Sequence, residues 1–281
     1  MATAELRGRT FVITGANTGI GRATAAGLAR RGATLVLAGR SAARTLPVVA
    51  ALQAESGNHA ISFSALSLDD LAQVRQSAAE LLAKHPRIDV LLNNAGLAGA
   101  RGQTKDGFEI AFGTNHLGPF LYTQLLLPAL REAEQGRVVN VASRAHWDAR
   151  AIDWDALRKP TRTRTGLREY AVSKLANVLH ARELGRREAG QSRVTAYALH
   201  PGVVASDAWR RVPWPLADFI KLFMISPEEG AKTSLYCATD ASLATATGRY
   251  YKQCREATVS PLARDEELAR ELFARSEAWT A

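Results

Sequence analysis

The sequence predicts an α/β fold in which one doubly wound parallel sheet of about seven strands is flanked by helices. Strand-like runs alternate with helical patterns along the chain, and this alternation implies parallel pairing through right-handed crossovers. The strand-like runs are short and rich in Val, Ile and Leu, as is typical of strands buried on both faces. The 281 residues contain no internal repeat or clear linker. A single domain over residues 1–281 is therefore the simplest interpretation.

The individual elements follow from these patterns. We expect strands at residues 10–14, 34–38, 59–65, 88–92, 136–142, 193–199 and 248–251. Helices are expected at residues 20–31, 42–55, 69–84, 108–127, 167–189 and 227–239. Two stretches lack the pattern, the charged residues 144–165 and the Trp-, Pro- and Leu-rich residues 206–225. Both follow the carboxyl ends of predicted strands, where open α/β sheets place their ligands.

Composition narrows the class of protein. The 47% hydrophobic and 22% charged content is that of an ordinary globular protein. Cys237 and Cys254 form no close-spaced motif, so we expect neither a disulfide framework nor a metal site, and the cysteine usage suits a reducing cytosol. The first residues do not resemble a signal peptide, and no run reaches the roughly 18 apolar residues that span a bilayer. These features predict a cytoplasmic protein without a transmembrane segment.

The chain is basic, with 36 Lys and Arg against 27 Asp and Glu, a formal charge of +9. A basic surface can bind nucleic acid, an anionic membrane or an anionic ligand. Most of the arginines are interleaved with glutamates, and the densest run, at 158–168, is more typical of a solvated loop. No nucleic-acid-binding motif accompanies the charge, so we expect no nucleic-acid partner.

A glycine-rich loop joins the first predicted strand to the first helix. Gly15, Gly19 and Gly21 permit a tight turn and a close approach of the backbone to a phosphate. The helix that follows supplies free N–H groups and the positive end of a dipole. Although a glycine trio can be only a flexible turn, its place between strand and helix favours a dinucleotide site.

The end of the second strand bears on which dinucleotide is used. NAD-binding folds often carry an acid here for the ribose hydroxyls, whereas this chain has Ala38, Gly39, Arg40 and Ser41. The Arg40 guanidinium can hold a 2′-phosphate through charge-assisted hydrogen bonds. The sequence therefore favours NADP(H) over NAD(H), with a surface arginine after a turn as the alternative.

Tyr170 and Lys174 lie four residues apart in the helix predicted over 167–189, a spacing that places both on one face. Because an ammonium stabilises a phenolate, we expect Lys174 to lower the pKa of Tyr170 from its ordinary value of about 10 toward neutrality. Such a tyrosine is a candidate general acid and base. Taken alone, the pair is more typical of a surface lysine beside a half-buried ring.

Together these motifs resemble a short-chain dehydrogenase/reductase with a single-domain Rossmann fold, and the resemblance covers nearly the whole chain. The matching segments, in family order, are TGANTGIG at 14–21, NNAG at 93–96, Asn115, Ser143, YxxxK at 170–174 and Pro201–Gly202. GTNHLGPFLYT at 113–123 and VNVASRAH at 139–146 look like the retinol dehydrogenase, WW-domain oxidoreductase and protochlorophyllide reductase branch.

The resemblance implies four catalytic roles. Tyr170 would exchange the substrate proton, and Lys174 would lower its pKa and bind the nicotinamide ribose. Ser143 would hydrogen-bond the reacting oxygen, and Asn115 would hold a water in a proton relay through its helix backbone. Each position also has a plainer interpretation: Ser143 could make only a local backbone bond, and Asn115 could be an ordinary helix residue.

The resemblance also implies the cofactor contacts. The phosphate loop would comprise Gly15, Asn17, Gly19, Ile20 and Gly21, with Arg40 at the 2′-phosphate. The adenine and its ribose would lie against Ser67, Leu68, Asn93, Ala95 and Gly96. The nicotinamide end would contact Tyr170, Lys174, Pro201, Val204 and Ser206. Alternatively, residues 93–94 could only tie strands together, and Pro201–Gly202 could be only a turn. His116, His146 and His200 receive no catalytic or metal role.

Two positions depart from the usual family pattern. Ser67 stands where the family usually has an Asp that contacts the adenine, which leaves the strength of the NADP preference open. Ser143 and Tyr170 are 27 residues apart, a long gap that resembles the retinol dehydrogenase branch. We expect the extra chain to form a flap or wall beside the site.

The substrate is expected to be a lipophilic aldehyde, ketone or secondary alcohol, because aromatic and aliphatic residues fill 206–225 where the family keeps its lid. A helix capping the core would use the same residues. The main rival function is a catalytically idle NADP(H)-binding redox sensor, although such relatives typically lose Tyr or Lys of the pair. Sugar-nucleotide epimerases also use Tyr-x-x-x-Lys, but with a different glycine spacing. The resemblance leaves monomer and homo-oligomer open.

Overall fold

A computed structural model describes residues 4–202 and 225–281. It contains one eight-stranded sheet in the order β3-β2-β1-β4-β5-β6-β7-β8. Neighbouring strands are parallel from β3 to β7, and β8 pairs antiparallel with β7. The strands are β1 Thr10–Thr14, β2 Thr34–Gly39, β3 Ile61–Ala65, β4 Val90–Asn93, β5 Arg137–Val141, β6 Thr195–His200, β7 Arg249–Lys252 and β8 Arg255–Glu256. The predicted doubly wound α/β fold is confirmed, with one strand beyond the seven expected.

Helices cover both faces of this sheet. They are α1 Gly19–Arg30, α2 Ala42–Ser56, α3 Leu71–Lys84, α4 Ile110–Phe112, α5 Gly118–Arg131, α6 Leu167–Glu188, α7 Pro227–Thr239, α8 Pro261–Arg264 and α9 Glu266–Trp279. Because β1, β5 and β6 are buried along their whole length, apolar clusters form on each side of the sheet.

The helix expected over 108–127 is interrupted. A π-helical segment, Gly113–Leu117, joins α4 to α5. The segment is fully buried, and π segments inside α-helices occur frequently at functional sites. The sequence pattern predicted one continuous helix here because apolar residues continue before and after the segment.

Helices α8 and α9 were absent from the expectations. Asp265 caps α9 by accepting a hydrogen bond from the Leu268 amide at 2.9 Å. Leu272 and Phe273 bury the inner face of the helix, and the Phe273 ring meets that of Phe120 edge-on at 4.9 Å. The core is therefore closed by α9 as well as by α7 and β7.

Within residues 4–202 and 225–281, no helix is long and apolar enough to cross a membrane. The same residues hold no cluster of side chains that could bind a metal ion. The cytoplasmic location and the single-domain boundary stay predictions.

Candidate active site

Parallel strands bring the predicted site residues to one edge of the sheet. The phosphate loop follows β1, the NNAG segment contains the end of β4, Ser143 follows β5 and Pro201 follows β6. These strands are neighbours, so their carboxyl ends meet where open α/β folds bind ligands. Tyr170 and Lys174 reach the same edge from α6.

The phosphate loop is shaped for close backbone contact. Gly15 has a φ of +69°, and a Cβ there would lie 2.9 Å from the Cα of Ala95. A Cβ on Gly21 would lie 2.5 Å from Nδ2 of Asn94. Only glycine fits these positions without displacing backbone or the side chain that holds it. The loop leads directly into the amino terminus of α1, which suits it to an anionic phosphate.

Asn94 and Thr14 hold this loop, and neither was predicted as a site residue. Asn94 donates from Nδ2 to the carbonyls of Thr14 at 2.8 Å and Gly15 at 3.2 Å. Thr14 Oγ1 accepts hydrogen bonds from the amides of Asn94 and Ala95. The signal available in the sequence was the pair of asparagines at the end of β4, of which the second ties neighbouring loops together.

Ser143 is the first residue after β5 to leave the sheet. Its hydroxyl oxygen accepts a hydrogen bond from the Ala145 amide at 3.2 Å. This local bond occupies an acceptor position, so the hydroxyl hydrogen stays free to donate elsewhere. The expected local bond and a catalytic role are thus compatible.

The phenol of Tyr170 is half-buried on α6. Burial raises its pKa, and the neighbouring Ser143 hydroxyl only partly offsets this rise. The predicted lowering by Lys174 is therefore wrong for this structure. The ammonium lies 5.6 Å from the centroid of the tyrosine ring and points to another partner.

That partner is the carbonyl of Val141, to which Lys174 Nζ donates at 2.8 Å. The side chain of Lys174 is buried, and burial lowers its pKa to about 8. Two of its three N–H groups remain for a ligand or the phenol. Gly96 leaves room beside them, since a Cβ there would lie 3.3 Å from Nζ.

Asn115 lies in the middle of the π segment with its side chain directed inward. It accepts from the Leu97 amide at 2.8 Å and donates to the Leu97 carbonyl at 2.9 Å. Its second N–H group donates to Ser173 Oγ at 2.9 Å. The side chain therefore holds the π segment, α6 and the loop after β4 together, and any relay must use the backbone of Asn115.

Arg40 follows β2 and is largely exposed, with 68% of its side chain accessible. Its guanidinium lies 3.8 Å from the carboxylate of Asp69, which in turn accepts a 2.6 Å hydrogen bond from Ser67. Helix α2 begins two residues after Arg40 with Ser41 as its N-cap. Asp69 is an acidic neighbour of the proposed 2′-phosphate position that sequence reasoning missed.

Some predicted cofactor residues direct their side chains into the core. Asn93 donates to Thr123 Oγ1 at 3.0 Å and to Asn140 Oδ1 at 2.9 Å, so its side chain ties strands together as the alternative expected. Leu68 is buried in the core. A cofactor could meet Asn93 and Leu68 only through their backbone.

The remaining predicted contacts lie near the end of β6. Pro201 and Gly202 are half-buried after β6. Gly202 has a φ of +99°, and a Cβ there would lie 2.5 Å from Ile225, so the position requires glycine. Asn17 and Ile20 are half-buried in the phosphate loop. Val204, Ser206 and nearly all of the predicted lid at 206–225 lie outside the described residues.

The predicted wall at 144–165 is bonded to α4 and to α6, the helix that carries Tyr170. Glu109, the N-cap of α4, accepts hydrogen bonds from Thr161 Oγ1 at 2.5 Å and from the Phe112 amide at 2.8 Å. Glu169, beside Tyr170, accepts from the amides of Arg162 and Thr163. Burial raises the pKa of Glu109. Burial also acts to raise the pKa of Glu169, but hydrogen bonds led by Thr163 outweigh it and the pKa is lowered.

Comparison with known proteins identifies the family. A family model described as short chain dehydrogenase matches residues 9–152. The human protein dehydrogenase/reductase SDR family member 13 is 45% identical over 97% of this chain and 73% of its own length. Human retinol dehydrogenase 11 is 42% identical over 97% of this chain and 86% of its own length. The chain belongs to the short-chain dehydrogenase/reductase family. The predicted resemblance to its retinol dehydrogenase branch is confirmed.

Solved structures agree with this short-chain dehydrogenase/reductase fold. A Mycobacterium paratuberculosis protein described as uncharacterised is 34% identical and superposes with a TM-score of 0.80 over 100% of this chain and 95% of its own. A short chain dehydrogenase from Shigella flexneri, solved with NADP, has a TM-score of 0.71 and 24% identity over 90% of this chain and 100% of its own. The latter likeness shows the fold alone.

Family membership makes this short-chain dehydrogenase/reductase an oxidoreductase that interconverts carbonyl and alcohol groups with a nicotinamide dinucleotide. The loop after β1 fits such a group, because the glycines leave a cradle that a Cβ would fill. Lys174 fits as well, since it has N–H groups to spare beside exposed Gly96.

Proposed function

We propose that this chain uses NADP(H) to interconvert a lipophilic aldehyde or ketone and its alcohol, with Tyr170 as the proton donor and acceptor. The observation that carries the proposal is the meeting of Tyr170, Lys174 and the end of β5 that leads to Ser143. Lys174 Nζ lies 5.6 Å from the centre of the Tyr170 ring and donates to the carbonyl of Val141, two residues before Ser143. When bound, the cofactor supplies or accepts the hydride.

Side chains of the protein would supply the proton, the hydrogen bonds to the reacting oxygen and the contact with the cofactor ribose. The free hydroxyl hydrogen of Ser143 would donate to the reacting oxygen, and Tyr170 would donate the proton that this oxygen gains. Both donors would stabilise charge that develops there during reduction. Lys174 would hold the nicotinamide ribose through the N–H groups that its hydrogen bond to the Val141 carbonyl leaves free.

Preference for NADP(H) is supported by the charges around the end of β2. Arg40 is exposed and follows the strand where NAD-binding folds often carry an acid. The amino terminus of α2 lies two residues away and adds N–H groups that favour an anion. The Arg40 guanidinium lies 3.8 Å from the Asp69 carboxylate, and this ion pair would have to break for Arg40 to bind a 2′-phosphate.

A lipophilic substrate is supported by exposed apolar side chains that lie close in sequence to Ser143 and Tyr170. Of the three exposed large apolar residues in the described chain, two are Trp147, four residues after Ser143, and Leu167, three residues before Tyr170. Exposed apolar side chains beside a site fit an apolar ligand. Relatives named retinol dehydrogenase make retinol and its aldehyde the first compounds to test.

The test measures NADPH consumption by the purified chain with retinol's aldehyde, long-chain aldehydes, cyclic ketones and a small polar aldehyde. We expect kcat/KM to be highest for a lipophilic carbonyl and lower with NADH than with NADPH. Tyr170→Phe serves as the background control. Tight NADPH binding without turnover of any carbonyl would contradict the proposal and favour a redox sensor.

A further inference from the structure

His146 follows Ser143 by three residues and makes a hydrogen bond at each end of its ring. Nδ1 lies 2.7 Å from the Ser143 carbonyl oxygen. Nε2 lies 3.2 Å from the amide nitrogen of Ser260, at the start of α8. The ring is fully buried and meets the ring of Tyr250 edge-on at 5.0 Å.

These two partners determine where the ring proton lies. An amide N–H can only donate, so Nε2 of His146 must accept from Ser260. The proton of the neutral ring is then on Nδ1, which donates to the Ser143 carbonyl. Burial lowers the pKa of His146, which keeps the ring neutral and able to accept at Nε2.

The Ser143 carbonyl belongs to the same turn that directs the Ser143 hydroxyl. The carbonyl accepts from the His146 backbone amide at 3.2 Å as well as from the ring. The hydroxyl accepts from Ala145. Rotation of the peptide between Ser143 and Arg144 would break these bonds together and change where the hydroxyl hydrogen points.

We infer that His146 is a positioning residue for Ser143: its ring, oriented by Ser260, fixes the turn that orients the Ser143 hydroxyl. The inference rests on the proposed role of Ser143 in the reaction. A buried histidine that only fills space would need neither of its two bonds for turnover, whereas a positioning residue needs the bond to Ser143.

Substitution of His146 by Asn or by Gln separates these possibilities, because each amide side chain retains one of the two hydrogen bonds of the ring. Asn in place of His146 keeps a donor near the Nδ1 position and loses the acceptor for Ser260. Gln keeps an acceptor near the Nε2 position and loses the donor for Ser143. Phe loses both bonds but keeps the packing on Tyr250.

We expect His146→Gln and His146→Phe to lower kcat by about tenfold to a hundredfold, a range typical of small misplacements of a reacting group. His146→Asn should keep kcat within about threefold of wild type. The Kd for NADPH, measured by fluorescence, and the KM for the carbonyl should change little in all three variants. Equal losses of kcat in Asn and Gln, or wild-type kcat in all three, would overturn the inference.

A second pair leaves His146 intact and works if the ring variants do not fold. Ser260 has a φ of −58°, which proline adopts, so Ser260→Pro removes the N–H that binds Nε2. Ser260→Ala keeps this N–H and removes only the cap that Ser260 Oγ gives to Ala263. We expect Ser260→Pro to lower kcat more than Ser260→Ala does, because without this N–H the ring proton can move from Nδ1 to Nε2, a shift that the fixed amide donor of His146→Asn cannot make. Equal effects of the two Ser260 variants would count against the inference.

A measurement without substrate separates this inference from the proposed function. The Tyr170 phenol can be titrated by NMR on ¹³C-labelled tyrosine, with Tyr170→Phe to assign the signal. Since the Ser143 hydroxyl lowers the pKa of this phenol, His146→Gln and Ser143→Ala should both raise its midpoint, and His146→Asn should not. If wild type reduces no carbonyl, the proposed function fails, but these midpoints still decide the role of His146.

Discussion

The two ends of the proposed dinucleotide site are built differently. At the reacting end, Lys174 is 4% exposed and binds the Val141 carbonyl, while Asn115 is 1% exposed with its amide fully bonded. At the opposite end, Arg40 is exposed and faces Asp69 at 3.8 Å. One end is fixed by buried hydrogen bonds, and the other end carries an exposed, charged side chain.

Proton transfer and phosphate binding differ in how accurately their side chains must be placed. Proton transfer requires hydrogen-bonding distances, so the groups that carry it belong on buried, mutually bonded elements. A phosphate can be held by a long, charged side chain that adjusts on binding. Mutations at the reacting end should therefore change kcat, and mutations at Arg40 should change cofactor affinity and choice.

The largest effect is expected from Tyr170→Phe. Loss of the phenol proton should lower kcat by about 10²–10⁴-fold, the range for general acid–base catalysis. Circular dichroism and the Kd for NADPH should match wild type, because the substitution keeps the ring and removes only the hydroxyl. Turnover within tenfold of wild type would break the division between the two ends.

Arg40→Asp should change the cofactor and leave the chemistry alone. Charge-assisted hydrogen bonds contribute about 1.5–3 kcal/mol, so the KM for NADPH should rise by about tenfold to a hundredfold. At saturating NADPH, kcat should stay near wild type, and kcat/KM with NADH should not fall. Arg44→Asp, one turn further along α2 and also exposed, is the matched control. Unchanged kinetics in Arg40→Asp would remove the argument for NADP(H).

Glu109→Gln tests how firmly the wall is held to the reacting end. The folded pKa of Glu109 is raised by burial, so the stability that its protonated form contributes is lost as the pH rises through that pKa. As the pH rises from about 4 to about 7, the free energy of unfolding of wild type should therefore fall relative to that of Glu109→Gln. Urea unfolding at several pH values measures this difference.

Glu169→Gln is the control for the previous experiment because its sign is opposite. The hydrogen bonds around Glu169 lower its folded pKa, so the stability it contributes is present at neutral pH and lost as the pH falls through that pKa. Wild type should gain stability relative to Glu169→Gln as the pH rises. The same slope in both variants would mean that the two carboxylates are not held as described.

The smallest effect is expected from Asp69→Asn. An exposed ion pair contributes at most about 1 kcal/mol, so release of Arg40 from Asp69 should lower the KM for NADPH by no more than about fivefold. Stopped-flow or steady-state assays with NADPH can resolve this change. A clear increase in the KM for NADPH would show that Asp69 assists the cofactor rather than competing for Arg40.

The sequence predicted the elements whose signals are local. Glycines at a turn, apolar runs and a Tyr–Lys spacing depend on near neighbours, and they located β1, α6 and the phosphate loop. The direction of the Tyr170 pKa could not be predicted, because it depends on burial and on the Lys174 ammonium binding a carbonyl 33 positions away.

Tertiary packing determined the other misses. The π segment depends on Asn115 reaching Leu97, and no local pattern distinguishes it from an α-helical turn. Asn93 and Asn94 look alike in sequence, yet one side chain enters the core and the other holds the phosphate loop. The miss of α9 is the exception, because its apolar residues Leu268, Leu272 and Phe273 follow a helical period that is visible in the sequence.

The late position of α8 and α9 has a consequence for the order of assembly. The hydrogen-bond partner of His146, Ser260, lies 114 positions later in the chain. The partner of His116, which is next to Asn115, is Ser276 on α9, 160 positions later. All the proposed catalytic residues are therefore synthesised before the segment that hydrogen-bonds to their neighbours His146 and His116. We expect a nascent chain to reach its active geometry only after α9 emerges.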